Sequence, residues 1–189
     1  GRPNYRAQAR LADGVPVEVP MPAPDFDLDA DRVREAMGPD TAAVVVCTPA
    51  NPTGRVADPE TVRAVVDAAA ENGAYVVADE VYAGLTYDRD PVGIAGTTDH
   101  PSHVLTVGSC SKTYAMTGWR VGWLAGDRSI VDQATKVRES TTACTSSVAQ
   151  HAALAALTGP QEPVTEMYEA FRDRRNYVAD RVAKMDGVD

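Results

Sequence analysis

Lys112 is one of three lysines in a 189-residue chain that carries fifteen arginines. It stands in "GSCSKTYAMTGWRVGW", among hydroxyl and small residues just past an apolar run. A lysine amine can form a covalent imine, which a guanidinium cannot. Two other segments hold polar residues of types that do chemistry: "TPANPTG" contains Asn51, and "ADEVYAGLTYD" contains Asp79, Glu80 and Tyr82. The lysine segment adds Ser109, Ser111 and, eight residues beyond the lysine, Arg120. Each of these has an ordinary structural role when taken alone. Asn-Pro and Gly start and finish turns, an Asp after a strand caps a helix, serines sit in turns, and Lys or Arg solvate a surface. Their value as a set depends on whether the fold brings them together.

Four apolar runs have strand length: 42–47, 74–79, 103–108 and 121–126. The first three are rich in valine and barely alternate, the pattern of strands buried on both faces of a mainly parallel sheet. Between the first two lies "DPETVRAVVDAAAENG", with Asp58 placed to N-cap, Pro59 at the first helical position and Gly73 at the end. Strand, helix and strand of those lengths make a βαβ unit and predict a layered α/β fold. Residues 29–38 predict a short helix ahead of the first strand, and 129–140, 146–157 and 163–185 predict three more. The last is long, with Met167, Phe171, Tyr177 or Val178, and Val182 forming an apolar stripe. Its length predicts a connection to another domain. In open parallel sheets, ligands bind beyond the carboxyl ends of the strands. Asn51, the Asp79–Tyr82 group and the Ser109–Lys112 group each follow such an end, so three strands deliver polar groups to one rim.

The formal charge is -9, from 18 basic and 27 acidic residues. That balance opposes nucleic acid or an anionic membrane as the main partner, because both require basic surface. No run approaches the length of a membrane span and no basic-then-apolar leader opens the chain, so the expectation is a soluble, cytoplasmic protein. Cys47, Cys110 and Cys144 are odd in number and lack CxxC spacing, which suits reduced thiols. His100, His103 and His151 complete no metal site, and no metal is expected.

The polar set matches the needs of one cofactor, pyridoxal 5'-phosphate (PLP). It requires a lysine to hold its aldehyde as a Schiff base, an anion beside its pyridine nitrogen and donors to its phenolate oxygen. Hydroxyls and an arginine fork suit its phosphate. "TPANPTG", "ADEVYAGLTYD" and "SCSKTYAMTGWRVGWLAG" together resemble the signature segments of the class I/II aminotransferases, the fold-type I enzymes related to aspartate aminotransferase. The spacing is similar too: Asp79 follows Asn51 by 28 residues, Tyr82 comes three later, and Lys112 is 33 beyond Asp79.

The resemblance implies the three-layer large domain of that fold, with a mainly parallel sheet flanked by helices. It implies that Lys112 is the Schiff-base lysine and the base that moves the substrate α-proton. Asp79 would pair with the pyridinium nitrogen, and Asn51 and Tyr82 would hydrogen-bond the phenolate oxygen. Ser109, Ser111 and Arg120 would hold the phosphate, and the Asn51–Pro52 bond would be cis. The implied reaction is transfer of an amino group between an amino acid and a 2-oxo acid, in a homodimer.

Family members are about twice this length, so the resemblance assigns residues 1–160 to part of the large domain and 161–189 to the start of the helix leading to a small domain. The 189-residue chain alone is therefore expected to be an inactive fragment. The same strand-end residues also suit a lyase or decarboxylase of this fold, or an aminotransferase-like sensor in a transcription regulator. "AMTGWRVGW" and "TTACTSSVAQHAALAAL" favour the aminotransferase branch.

Overall fold

The structure is a computed structural model and describes residues 3–187. The valine-rich runs form the strands that their composition predicts: β1 (Ala43–Cys47), β2 (Tyr75–Asp79) and β3 (Val104–Ser109), followed by a shorter β4 (Gly122–Ala125). The spatial order is β1-β2-β3-β4, with β1, β2 and β3 parallel and β4 antiparallel to β3. Helices flank this sheet, giving the α/β architecture.

The βαβ unit is built as its sequence dictates. In α3 (Pro59–Glu71) the Asp58 carboxylate accepts hydrogen bonds from the Glu60 and Thr61 amides at 3.0 and 3.2 Å, satisfying donors that the first turn leaves open. Gly73, at φ 69°, ends the helix. Val62, Val65, Val66, Ala68 and Ala69 on one face of α3 are buried. The valines and Ala69 pack in one core with Val76 and Ala78 of β2, Val104 of β3 and Ile94. Each fully buried valine contributes about 2 kcal/mol of hydrophobic stabilisation. Ahead of β1, Asp29 caps α2 (Ala30–Ala36), which adds Val33 to the same core.

A second, smaller core gathers around the lysine segment. Cys110 of α4 (Cys110–Thr113) and Met116 pack with Ala153 of α6 (Ser147–Thr158), joined by Tyr114, Val121, Ala152 and Ala156. Between β4 and α6 runs α5 (Arg128–Thr142), capped by Asp127. The final helix, α7 (Glu162–Val182), buries no residue completely. Of its apolar stripe only Met167 is half-buried, while Phe171, Tyr177, Val178 and Val182 are exposed. Two helices have no counterpart in the sequence expectations: the single turn α4, and α1 (Pro3–Leu11), a mostly polar segment with only Tyr5 and Ala9 half-buried among the residues whose side chains are described.

The antiparallel pair β3–β4 closes only because residue 108 has no side chain. Gly108 lies opposite Trp123, and a Cβ there would come within 2.2 Å of the indole ring. The indole thus covers the strand that leads directly into Ser109 and Lys112. Gly108→Ala is expected to destabilise the protein by about 2 kcal/mol, the ordinary cost of overpacking. Denaturant titration checks this, and adding Trp123→Leu should recover most of the loss.

Candidate active site

Parallel pairing sets the site's geometry first. Cys47 lies opposite Asp79 in the β1–β2 register, and Asp79 lies opposite Val107 in the β2–β3 register. The carboxyl ends of the three strands therefore reach one rim together. The loop after β1 is folded tightly there. Its Thr48–Pro49 and Asn51–Pro52 bonds are both cis, the second as expected, and the Gly54 amide donates to the Ala50 carbonyl at 2.8 Å. Buried Thr48 ties this loop down: its amide donates to the Asp79 carbonyl at 3.2 Å and its hydroxyl accepts from the Ala57 amide at 2.9 Å.

Three of the expected site residues meet directly. The Asn51 side-chain amide donates to the Tyr82 hydroxyl at 2.9 Å, and the Lys112 Nζ stands 5.5 Å from the centre of the Tyr82 ring. An amine, a phenol and an amide thus share one corner of the rim. Tyr82 is positioned by a 3-10 turn, Ala83–Leu85, that packs on α4. A Cβ on Gly84 would approach the Thr113 hydroxyl to 2.4 Å, so glycine permits the close approach that brings Tyr82 to the lysine's helix.

Asp79 is only 5% exposed, which removes the role of surface helix cap from it. Burying a carboxylate costs several kcal/mol unless hydrogen bonds compensate. Oδ1 accepts from the Val81 amide at 3.3 Å, and Oδ2 accepts a short hydrogen bond from the Tyr5 hydroxyl. Burial and this carboxylate push the Tyr5 phenol far above its ordinary range, so it stays a donor. Sequence reasoning missed Tyr5. It sits 74 residues from Asp79 in a polar segment with no motif, so no local signal marked it.

Ser109 and Ser111 stand with their hydroxyl oxygens 2.8 Å apart. Ser109 also caps α4, accepting from the Ser111 amide at 3.0 Å, and donates to the Val121 carbonyl at 2.9 Å. Arg120, in left-handed backbone conformation at φ 56°, is exposed and donates to the Thr117 carbonyl at 2.9 Å. The Thr117 hydroxyl in turn donates to the Ser111 carbonyl at 3.1 Å, so the arginine joins the serine pair through Thr117.

Glu80, next to Asp79, faces away to a structural task. Its carboxylate accepts from the Ile94 amide at 2.8 Å, and burial raises its pKa above the ordinary glutamate range despite that bond.

A family model described as aminotransferase class I and II matches residues 3–189. The chain belongs to the class I and II aminotransferase family. It is 35% identical over 187 residues to an aspartate aminotransferase of Geobacillus stearothermophilus, covering 97% of this chain and 48% of that enzyme. A probable aspartate/prephenate aminotransferase of Thermus aquaticus is 36% identical over 96% of this chain and 48% of its own length. Among solved structures, Thermus thermophilus aspartate aminotransferase with maleate superposes with a TM-score of 0.87 at 36% identity, over 95% of this chain and 47% of that one. Alanine aminotransferase from Pyrococcus furiosus gives 0.89 at 29% identity, over 99% and 49%. The chain thus spans about half the length of the aminotransferases it matches. The shared fold is that of fold-type I, as the signature segments imply. Among the described residues, no helix is long and apolar enough to cross a membrane.

The half-buried Glu80 carboxyl gives the stability of this chain a pH-dependent term. Its proton is held more tightly in the folded chain than in the unfolded one, so stability falls as pH rises above the unfolded value of about 4.3. Glu80→Gln keeps the acceptor for Ile94 and is expected to raise the melting temperature at pH 7. Solvent screening of this half-buried group holds the gain to about 2 °C, and it should vanish below about pH 4. Thermal denaturation at both pH values checks the sign.

Proposed function

We propose that these residues form the cofactor-holding part of a PLP-dependent aminotransferase, which moves an amino group between an amino acid and a 2-oxo acid. The observation that carries this reading is the meeting of Lys112, Tyr82 and Asn51 at the rim where Asp79 is buried.

The donor set fits the cofactor. A buried, hydrogen-bonded carboxylate suits a protonated ring nitrogen, and a phenol with an amide beside the amine suits an oxygen next to an imine carbon. The neighbouring hydroxyl pair and a guanidinium two links away suit a phosphate. When bound, PLP supplies an electron-accepting ring that stabilises a carbanion at the substrate α-carbon.

The chain's own residues do the rest. Lys112 would hold the aldehyde through Nζ and, once released by the incoming amino acid, would take up the α-proton on Nζ and give it back from the ammonium so formed. Asp79 would pair with the ring nitrogen, and hydrogen bonds from Tyr5 and the Val81 amide hold its carboxylate in place. Tyr82 and Asn51 donate to the phenolate oxygen. Ser111, Ser109 and Arg120 grip the phosphate, Ser109 also holding α4 in place.

The relatives named above are all aminotransferases, which favours amino transfer over lyase, decarboxylase or sensor chemistry. Aspartate is the first donor to test, since two relatives and one solved structure carry it in their names. A homodimer, and assignment of residues 1–160 to a large domain with 161–189 opening a linking helix, belong to the same reading. The exposed far half of α7 supports the second point.

An amino-donor panel on the protein as its gene encodes it tests the function. Aspartate or another amino acid should shift the visible band of the PLP-loaded protein and release the matching 2-oxo acid. Lys112→Ala should cut turnover by about a thousandfold or more. Undiminished turnover in that variant, or release of ammonia or carbon dioxide in place of amino transfer, counts against the reading.

A further inference from the structure

Helix α7 touches the domain along Val164, Met167, Tyr168, Ala170, Arg172 and Arg175, all half-buried. From Asn176 to Gly187 every residue is exposed, so Arg175 is the point at which the helix leaves the domain. At that point it is gripped from three directions. One guanidinium nitrogen donates to Asp88 Oδ1 at 3.0 Å and a second donates to Oδ2, forming a two-pronged ion pair. The guanidinium also lies 5.0 Å from the centre of the Tyr87 ring. Tyr168, two helical turns earlier on the same face, places its ring 5.2 Å from that of Tyr87. Arg175 Nε is buried without a hydrogen-bond partner, a cost accepted where the rest of the side chain is held firmly. An isolated surface ion pair contributes little, but a bidentate fork combined with ring contacts is the arrangement that fixes geometry.

What Arg175 grips is the loop that carries Tyr82. That loop leaves β2 at Asp79 and is pinned at one end by the Glu80–Ile94 hydrogen bond and in its middle by Gly84 against Thr113. Tyr87 and Asp88 are its third attachment, five and six residues after Tyr82. We propose that Arg175 is a positioning residue: by clamping Tyr87 and Asp88 to α7 it holds the Tyr82 side chain beside Asn51 and Lys112, so that the direction of α7 is transmitted to the site. Nothing in the local sequence announces this, since the clamp joins residues 87 positions apart. The inference rests on the cofactor reading above, in which Tyr82 meets PLP.

The test is a double-mutant cycle on the dissociation constant for PLP, read by the visible absorbance of the bound cofactor in the intact gene product. Arg175→Ala should weaken binding by about threefold or more when Tyr82 is present and have no further effect in a Tyr82→Phe background, because coupled residues are non-additive. Arg175→Lys, which keeps the charge and loses the fork, should weaken it as well. The exchanged pair Arg175→Asp with Asp88→Arg should recover part of the loss. In the cofactor-free protein, amide hydrogen exchange over residues 80–90 should quicken in Arg175→Ala while the rest of the sheet is unchanged. Equal weakening in both backgrounds, or unchanged exchange in that loop, overturns the clamp. If the unsubstituted protein binds no PLP, the cofactor reading falls and the proposal with it, whereas faster loop exchange alone would still reveal the grip of Arg175.

Discussion

A carboxylate buried at the end of a parallel strand is the interaction on which the rest of the site depends. Asp79 can lie there only because its neighbours compensate for the water it gives up. Tyr5 reaches it from α1, the Val81 amide turns back to it, and Thr48 of the adjoining loop bonds its backbone. Those contacts tie together the N-terminal helix, the two Pro-containing turns and the loop that carries Tyr82. Because β1, β2 and β3 run parallel in register, the same rim also receives Ser109 and, one step into α4, Lys112.

Two cores hold this arrangement. The valine core under α3 fixes β1 and β2, and with them Asn51 and Asp79. The smaller core of Cys110, Met116 and Ala153 fixes the segment with Lys112 and Arg120. The joints between elements at the site are close approaches to glycine backbone. Trp123 lies over Gly108, and Thr113 lies against Gly84. Side chains at either glycine would separate elements that must stay within hydrogen-bonding reach.

Much of this was legible in the sequence, for identifiable reasons. Valine runs of strand length, the Asp58–Pro59 helix start and the polar residues after each strand are local signals, and local physics enforces them. Asn51, Tyr82 and Lys112 could be placed together because parallel strands bring successive carboxyl ends to one edge. Tyr5, Asp88 and Arg175 were not legible. Each acts through a partner 74 or 87 residues away, from a segment whose composition is that of ordinary solvated surface. The second duty of Ser109 was also hidden, since a hydroxyl that caps α4 and one that faces a ligand look alike in a sequence. The apolar stripe of α7 has helical spacing in the sequence, but most of it faces outward.

The central claim is that one lysine carries the cofactor. The chain contains only Lys112, Lys136 and Lys184, so borohydride reduction of the PLP-loaded protein followed by peptide mass mapping separates the possibilities cleanly. The predicted result is a single reduced pyridoxyl adduct on the peptide containing Lys112. An adduct on Lys136 or Lys184 with Lys112 unmodified, or no adduct at all, would contradict it.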